Sequence, residues 1–464
     1  MKYILLTLLF ILQTACQSGS KKAVQNSETV SEKVIFSGKE VRKYKLSHGG
    51  ELIAIHDASL PRVGFSVFFK FGAQQDPQHL EGVTSLMAAL VDRGTQTRSS
   101  EKLADDFAAL GSNFNASVNI DYTGFEASTL STKAPQLFEL VFDVLTKPTF
   151  TKSEFAKVKD QFLVAAQRRG EDPSSFADQK LDEFIYPNHP YGREVNGTEK
   201  SLAKIKLSDV QNQYKNFFVP ENMTFIIVGK FDALFENMVK VKLETWSANK
   251  SAALSWLPPE EAQGIQWQFL NKKGAKQSEI RIGQMGLARR DPDFIAMRLA
   301  NTILGGGFQS RLNQRVRDDL GLTYAVYSAI EARKERGPFS IATFTRHPML
   351  RKTLDETLNV FNQFVQQGAN EEELKAAKNL LKGQFPRAIE TADKLAFNLF
   401  LLNHYGVSES YLTEFNQRVD QVNLGSLNAA IRKHMKPENL RIFILSDKEV
   451  VQDQLKDINN IQWR

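Results

Sequence analysis

Short runs of β-branched and aromatic residues alternate with long segments of helical periodicity twice along the chain, over residues 34–246 and again over 265–464. In the first half, residues 51–55 and 63–70 have strand character, and 83–90 and 99–110 read as helices. Residues 116–130 read as two strands, 135–145 and 152–169 as helices, and 225–229 as a buried strand ending at a glycine. The second half repeats the plan. It has a strand at 279–283, a helix at 293–304, the loop Gly305-Gly306-Gly307 and a further helix, then strands at 324–330 and 339–345. Long helices follow Leu350, and the strand at 441–446 mirrors 225–229. Residues 247–264, with Pro258-Pro259-Glu260-Glu261, break the pattern and read as a linker. Hairpin-like strand pairs beside long helices predict an α+β protein of two homologous domains, each a mostly antiparallel sheet packed with long helices.

Charge and cysteine content narrow the function. Lys+Arg number 59 against 53 Asp+Glu, a net +6 without any dense basic run, which leaves no electrostatic footprint for nucleic acid. Cys16 is the single cysteine, so an internal disulfide and any site built from several thiolates are excluded. Residues 1–15 read as a signal peptide: Lys2 precedes an apolar run over 3–12 that is too short to span a bilayer core of ~30 Å. Gln13-Thr14-Ala15-Cys16 resembles the lipobox of bacterial lipoproteins, in which the cysteine becomes the lipidated first residue. The leucine usual three places before the cysteine is Gln13 here, with Leu12 one step earlier. Residues 16–33 form a polar tether. The expectation is a body lipid-anchored in the cell envelope. Gln17, in place of an aspartate, points to the periplasmic side of the outer membrane if the cell is Gram-negative.

Several short motifs stand in a fixed order. They are Gly72 and the segment Gly82-Val83-Thr84-Ser85-Leu86-Met87-Ala88-Ala89-Leu90-Val91-Asp92-Arg93-Gly94-Thr95, then His189-Pro190-Tyr191-Gly192, Gly197-Thr198, Pro220-Glu221-Asn222 and Ile227-Val228-Gly229. In the second half come Gly305-Gly306-Gly307-Phe308-Gln309-Ser310-Arg311-Leu312 and Val316-Arg317 through Gly321-Leu322-Thr323-Tyr324. In this order and spacing the chain resembles the pitrilysin/insulinase peptidases, the inverted zincins, over nearly all of its length beyond the tether. The resemblance implies the fold of that family, two sheet-and-helix domains like those of mitochondrial processing peptidases.

Active members of that family carry His-x-x-Glu-His on the first-domain helix, two zinc ligands and a general base, with a glutamate ligand on a later helix. Here those positions fall on Ser85, Ala88, Ala89 and Ala165. Alanine neither ligates a metal nor moves a proton, so no cofactor is expected in this chain. None of the seven histidines pairs with another at helix-face spacing. His79 with Glu81 reads as a solvated turn, and His189 as structural.

The resemblance also implies an arginine and a tyrosine that hold the substrate backbone, matched by Arg317 and Tyr324. An arginine offers planar donors to a peptide carbonyl, and a tyrosine hydroxyl stabilises an oxyanion. The expected function is therefore that of a zinc-site-less subunit. It would supply chamber wall and the Arg317/Tyr324 pair to a paralogous partner that carries the zinc motif and the zinc, for proteolysis of peptides. The alternative is a non-enzymatic scaffold or assembly protein of the envelope; a peptidase with rearranged zinc ligands is a third reading.

Overall fold

The computed structural model describes residues 32–36, 38–247 and 250–464. The expected signal segment, Cys16 and the tether up to residue 31 lie outside them. The first sheet contains β1 (Glu32–Phe36), β2 (Lys39–Lys45), β3 (Glu51–His56), β4 (Arg62–Phe69), β5 (Asn115–Val118), β6 (Thr123–Leu130) and β7 (Met223–Gly229), in the order β1-β2-β3-β7-β4-β6-β5. The second contains β8 (Gln266–Asn271), β9 (Ser278–Met285), β10 (Val326–Ile330), β11 (Pro338–Thr345), β12 (Arg441–Ser446) and β13 (Ile461–Trp463), in the order β10-β11-β9-β12-β8-β13.

A shared topology lies inside both sheets. The run β3-β7-β4-β6-β5 corresponds strand for strand to β8-β12-β9-β11-β10. In each, one parallel pair (β3 with β7, β8 with β12) is followed by antiparallel neighbours. The two halves therefore form α+β domains of one design, and the two mirrored apolar strands are β7 and β12. One expected strand is shorter than its sequence pattern. β10 opens at Val326 and leaves Tyr324 in the turn before it. The Thr323 hydroxyl accepts from the Ala325 amide at 3.1 Å and donates to the Ala325 carbonyl at 2.9 Å, which holds this turn off the ladder.

Both sheets are buried on both faces, which explains why β7 and β12 are continuously apolar and do not alternate. One face of the first sheet (Leu52, Phe65, Val67, Phe69, Phe225, Ile227) packs on its own helices, chiefly Ala134–Thr146. The other face (Ile53, Ile55, Phe68, Ile226, Val228) is covered by Ala392–His404, a helix of the second half, with Phe400 stacked on Phe68 at 4.5 Å between ring centroids. The exchange is reciprocal. Pro173–Ile185, from the first half, lays Ala177, Leu181 and Ile185 on Met285, Phe443 and Leu445 of the second sheet. Gly283 makes this approach possible: a β-carbon there would stand 2.8 Å from Ile185 and 2.9 Å from Leu181.

Two buried arginines of the second half fix the exchanged helix. Arg281 on β9 donates to the Ser174 hydroxyl at 2.8 Å and its carbonyl at 3.0 Å, and pairs with Asp178 and Glu279. Arg333, in the β10–β11 loop, pairs with Asp182 at 2.8 Å and donates to the Tyr191 carbonyl at 3.2 Å. The same loop drops its Lys334 amide onto Asp121, which also accepts from the Tyr191 hydroxyl, both at 2.8 Å. The His189–Gly192 motif is thus a socket for a loop of the other half. His189 uses both ring nitrogens on backbone, bonding the Leu257 carbonyl at 2.8 Å and accepting from the Tyr191 amide at 3.1 Å. Its structural reading is what the geometry shows.

The stretch expected as a plain linker is a packed strap. Gln75 and Ser255 exchange two hydrogen bonds, Trp256 meets His404 edge-on, and Glu261 pairs with Arg336. His404 itself is buried. Nε2 lies 3.0 Å from the Asp121 carbonyl, while Nδ1 has no partner among the described residues.

Two outcomes follow from these contacts. A single engineered cut between Pro259 and Gly264 leaves the halves co-eluting on size exclusion in native buffer, because each holds a helix of the other; separation would show that the strap alone joins them. Burial, reinforced by Lys334, pushes the His404 imidazole down to about 3 from its ordinary 6.5. A histidine with a depressed folded pKa stabilises the fold fully above pH 6.5, and the contribution disappears as pH falls toward 3. Between pH 6 and 4 the unfolding free energy of the wild type therefore drops more steeply than that of His404→Gln, by about 1.4 kcal/mol per pH unit. Parallel pH profiles from urea denaturation check this.

Candidate functional site

The helix Val83–Leu90 is held at its N-terminus by a side chain from the preceding turn. Asp76 accepts from the amides of Gly82 at 2.7 Å and Thr84 at 3.2 Å, and from the Thr84 hydroxyl, which in turn accepts from Gln213 at 2.8 Å. The carboxyl is wholly enclosed, and burial pushes its pKa up to about 7 against these donors. The turn Gln74–Asp76 is therefore not solvated throughout: Gln74 and Asp76 are buried, and only its tip with His79 is exposed.

Along this helix, the positions that would hold a metal are filled otherwise. The Ser85 hydroxyl donates to the Val195 carbonyl at 2.8 Å and is spent on packing the helix to the next segment. Ala88 is buried and Ala89 half-buried; Ala165 lies exposed on Lys152–Arg168, the helix packed alongside. This donor set does not fit zinc, which needs imidazole, thiolate or carboxylate ligands. Among the described residues, the one cluster of three such groups within ligand distance of one another is Asp291, Asp293 and His434, in the other half. There Asp293 is already paired with His434 at 2.8 Å and Lys433 at 2.7 Å.

Arg317 and Tyr324 are brought together. Arg317 sits on a π-helical segment, Asn313–Asp319, and Tyr324 in the turn before β10; both line one pocket of about 550 Å³ with Gln277, Thr323, Phe344 and Arg346. Tyr324 is 86% exposed. Among the described residues, the one acidic group Arg317 touches is its neighbour Asp318, at 3.4 Å, and its guanidinium lies 5.8 Å over the ring of Phe308. The guanidinium and the phenol thus both face solvent from a rigid base, and can donate hydrogen bonds to carbonyl oxygens.

That rigidity comes from the glycine turn. Gly305 lies so close to β10 that a β-carbon would stand 2.5 Å from the Ser328 amide nitrogen, and Ser328 donates that amide to the Gly305 carbonyl. The Asn301 carbonyl accepts from the amides of Gly305 and Gly306. The Asn313 side chain then donates to the Gly307 carbonyl, the Ser310 hydroxyl and the Val326 carbonyl, each at 3.1 Å. Three glycines that look like a flexible loop in sequence are a clamped turn. Phe308, Arg346 and Asp76 were not singled out by the sequence. Phe308 follows the glycines directly, and a bulky aromatic on a turn is the one local signal that could have marked it.

Known proteins share this fold. Residues 52–199 match the family described as Insulinase (Peptidase family M16), and residues 204–381 match the family described as Peptidase M16 inactive domain. The chain is 23% identical over 400 residues to a Bacillus subtilis protein described as an uncharacterized zinc protease, YmxG, across 85% of this chain and 95% of that one. Its structure superposes on a peptidase M16 inactive domain from Pseudomonas fluorescens with a TM-score of 0.81 and 26% identity, covering 88% of this chain and 97% of that one. It also shares its fold with the periplasmic protease PqqL of Escherichia coli, at a TM-score of 0.76 and 18% identity over 89% of this chain and 48% of that one. With this fold, these motifs and both matched segments, the chain belongs to the insulinase family of peptidases, family M16.

Proposed function

We propose that this chain is the zinc-site-less subunit of a two-chain peptidase. It supplies half of the chamber and the Arg317/Tyr324 pair to a paralogous partner that carries His-x-x-Glu-His and the zinc. One observation carries the reading: the four metal and base positions hold Ser85, Ala88, Ala89 and Ala165, whereas the arginine and tyrosine share one open pocket. Arg317 would fix a peptide carbonyl by planar donation, and Tyr324 would donate to the oxygen on which negative charge develops when the partner's site acts. The substrates would be peptides or unfolded segments, bound in extended form. Cys16 would carry the lipid that keeps the pair at the envelope.

Co-expression with a zinc-motif paralogue and a peptidase assay test the pairing. Tyr324→Phe and Arg317→Ala each lower the activity of the complex by about 100-fold, the usual effect of removing one oxyanion donor, while the complex still assembles. Undiminished activity would remove the pair from the mechanism. Purification of the chain without any zinc-motif partner would favour the scaffold reading instead. Cys16→Ser moves the chain from the membrane fraction to the soluble fraction; an unchanged distribution would exclude the lipid anchor.

A further inference from the structure

β11 ends at Thr345, and the next residue, Arg346, lines the same pocket as Arg317 and Tyr324. The fold sets its place there. Thr345 is buried and donates its hydroxyl to the Leu322 carbonyl at 2.7 Å, which ties the end of the strand to the segment carrying Arg317 and Tyr324. Thr343, two residues back, donates to the Ala325 carbonyl at 2.9 Å. On the other side Ser278 stands opposite Thr345 in the ladder with β9, so Gln277 comes beside Arg346 at the open end of the sheet. The Arg346 carbonyl accepts from the Met349 amide at 2.8 Å. The backbone under this guanidinium is fixed, while the residue itself is exposed.

The charge of the pocket is unbalanced. Arg281 and Arg333, which hold the two halves together, are buried and paired with carboxylates. Arg346 has neither property: it forms no ion pair and no side-chain hydrogen bond among the described residues. Asp318 is the one carboxylate among the described residues that line the pocket; it is exposed and reaches Arg317 at 3.4 Å. Two guanidiniums facing one cavity repel each other, and a carboxylate placed between them turns that repulsion into charge-assisted hydrogen bonds. A peptide carbonyl needs only one of the two cations. The second is left for a full negative charge, and the half-buried Phe344 offers an apolar wall for the methylenes of a glutamate.

We infer that this pocket takes a carboxylate of the bound peptide, with Arg346 as the residue that selects it and Arg317 on the adjoining carbonyl. The carboxylate belongs to an acidic side chain or to the free C-terminus of the peptide. The inference rests on the reading of Arg317 and Tyr324 as a peptide-binding pair.

The test is fluorescence anisotropy of the full chain with Gly/Ser decapeptides that carry an uncharged dye at the N-terminus. One has a central glutamate and an amidated C-terminus, and its control has glutamine in place of the glutamate. A third has no acidic side chain but a free C-terminal carboxylate. The glutamate peptide binds about tenfold more tightly than the glutamine peptide, and the advantage shrinks between about 50 and 300 mM salt. Arg346→Gln brings the glutamate peptide down to the affinity of the glutamine peptide, and Arg346→Lys restores part of the difference. If the advantage over the glutamine peptide belongs instead to the peptide with the free C-terminus, and Arg346→Gln removes it, the inference stands with the chain terminus as the source. A glutamate advantage that survives Arg346→Gln, or equal binding of all three peptides, would overturn the inference; weaker binding by Arg317→Ala would then still support the proposed function. If Arg346→Gln removes the advantage while Arg317→Ala leaves the glutamine peptide unaffected, the carboxylate pocket stands and the Arg317/Tyr324 reading falls. Absence of binding by all three peptides would overturn both.

Discussion

Each sheet in this chain is finished by a helix from the other half. Without Ala392–His404 the first sheet would expose Ile53, Ile55, Phe68, Ile226 and Val228; without Pro173–Ile185 the second would expose Met285, Phe443 and Leu445. Apolar area of this kind contributes roughly 25 cal/mol per Å² when buried, so neither half is complete alone. The exchange also orients the halves. Arg281 and Arg333 reach from the second sheet and its loop to one helix of the first half, and the Asp121–Tyr191 socket accepts that loop. The geometry of the Arg317/Tyr324 pocket relative to the first domain follows from these contacts.

The helix Val83–Leu90 is held by a few named bonds. Ala88 is packed into the core and Ala89 half into it, while Ala165 lies exposed on the helix alongside. Asp76 satisfies the amides of the first helical turn, and Ser85 ties the helix to Val195. Those bonds hold the segment whether or not chemistry occurs there.

Element order was legible because it rests on local periodicity. The helix 83–90, the paired strands within 116–130 and the mirrored strands at 225–229 and 441–446 all appear where the pattern puts them. The partner of each sheet face was not legible, since covering a strand of the first half with a helix near residue 400 leaves no local trace. Two site details were hidden for the opposite reason, being too local for a pattern. The Thr323 hydroxyl takes Tyr324 out of the strand, and Asp76 sits in a polar Gln-Gln-Asp-Pro turn that composition alone assigns to solvent. The candidate pair was found through motif order. The rigid turn that supports it emerged only from the closeness of Gly305 to Ser328.

The exchanged helices also impose an order on the birth of the molecule. A chain made from its N-terminus completes β7 long before residues 392–404 exist, so one face of the first sheet stays bare while the whole second half is still to come. A partly made chain therefore carries a large sticky surface that its own sequence cannot yet hide. Holding factors that grip extended apolar segments during synthesis become part of what this architecture needs, and truncated products of the first half are candidates for rapid aggregation or degradation.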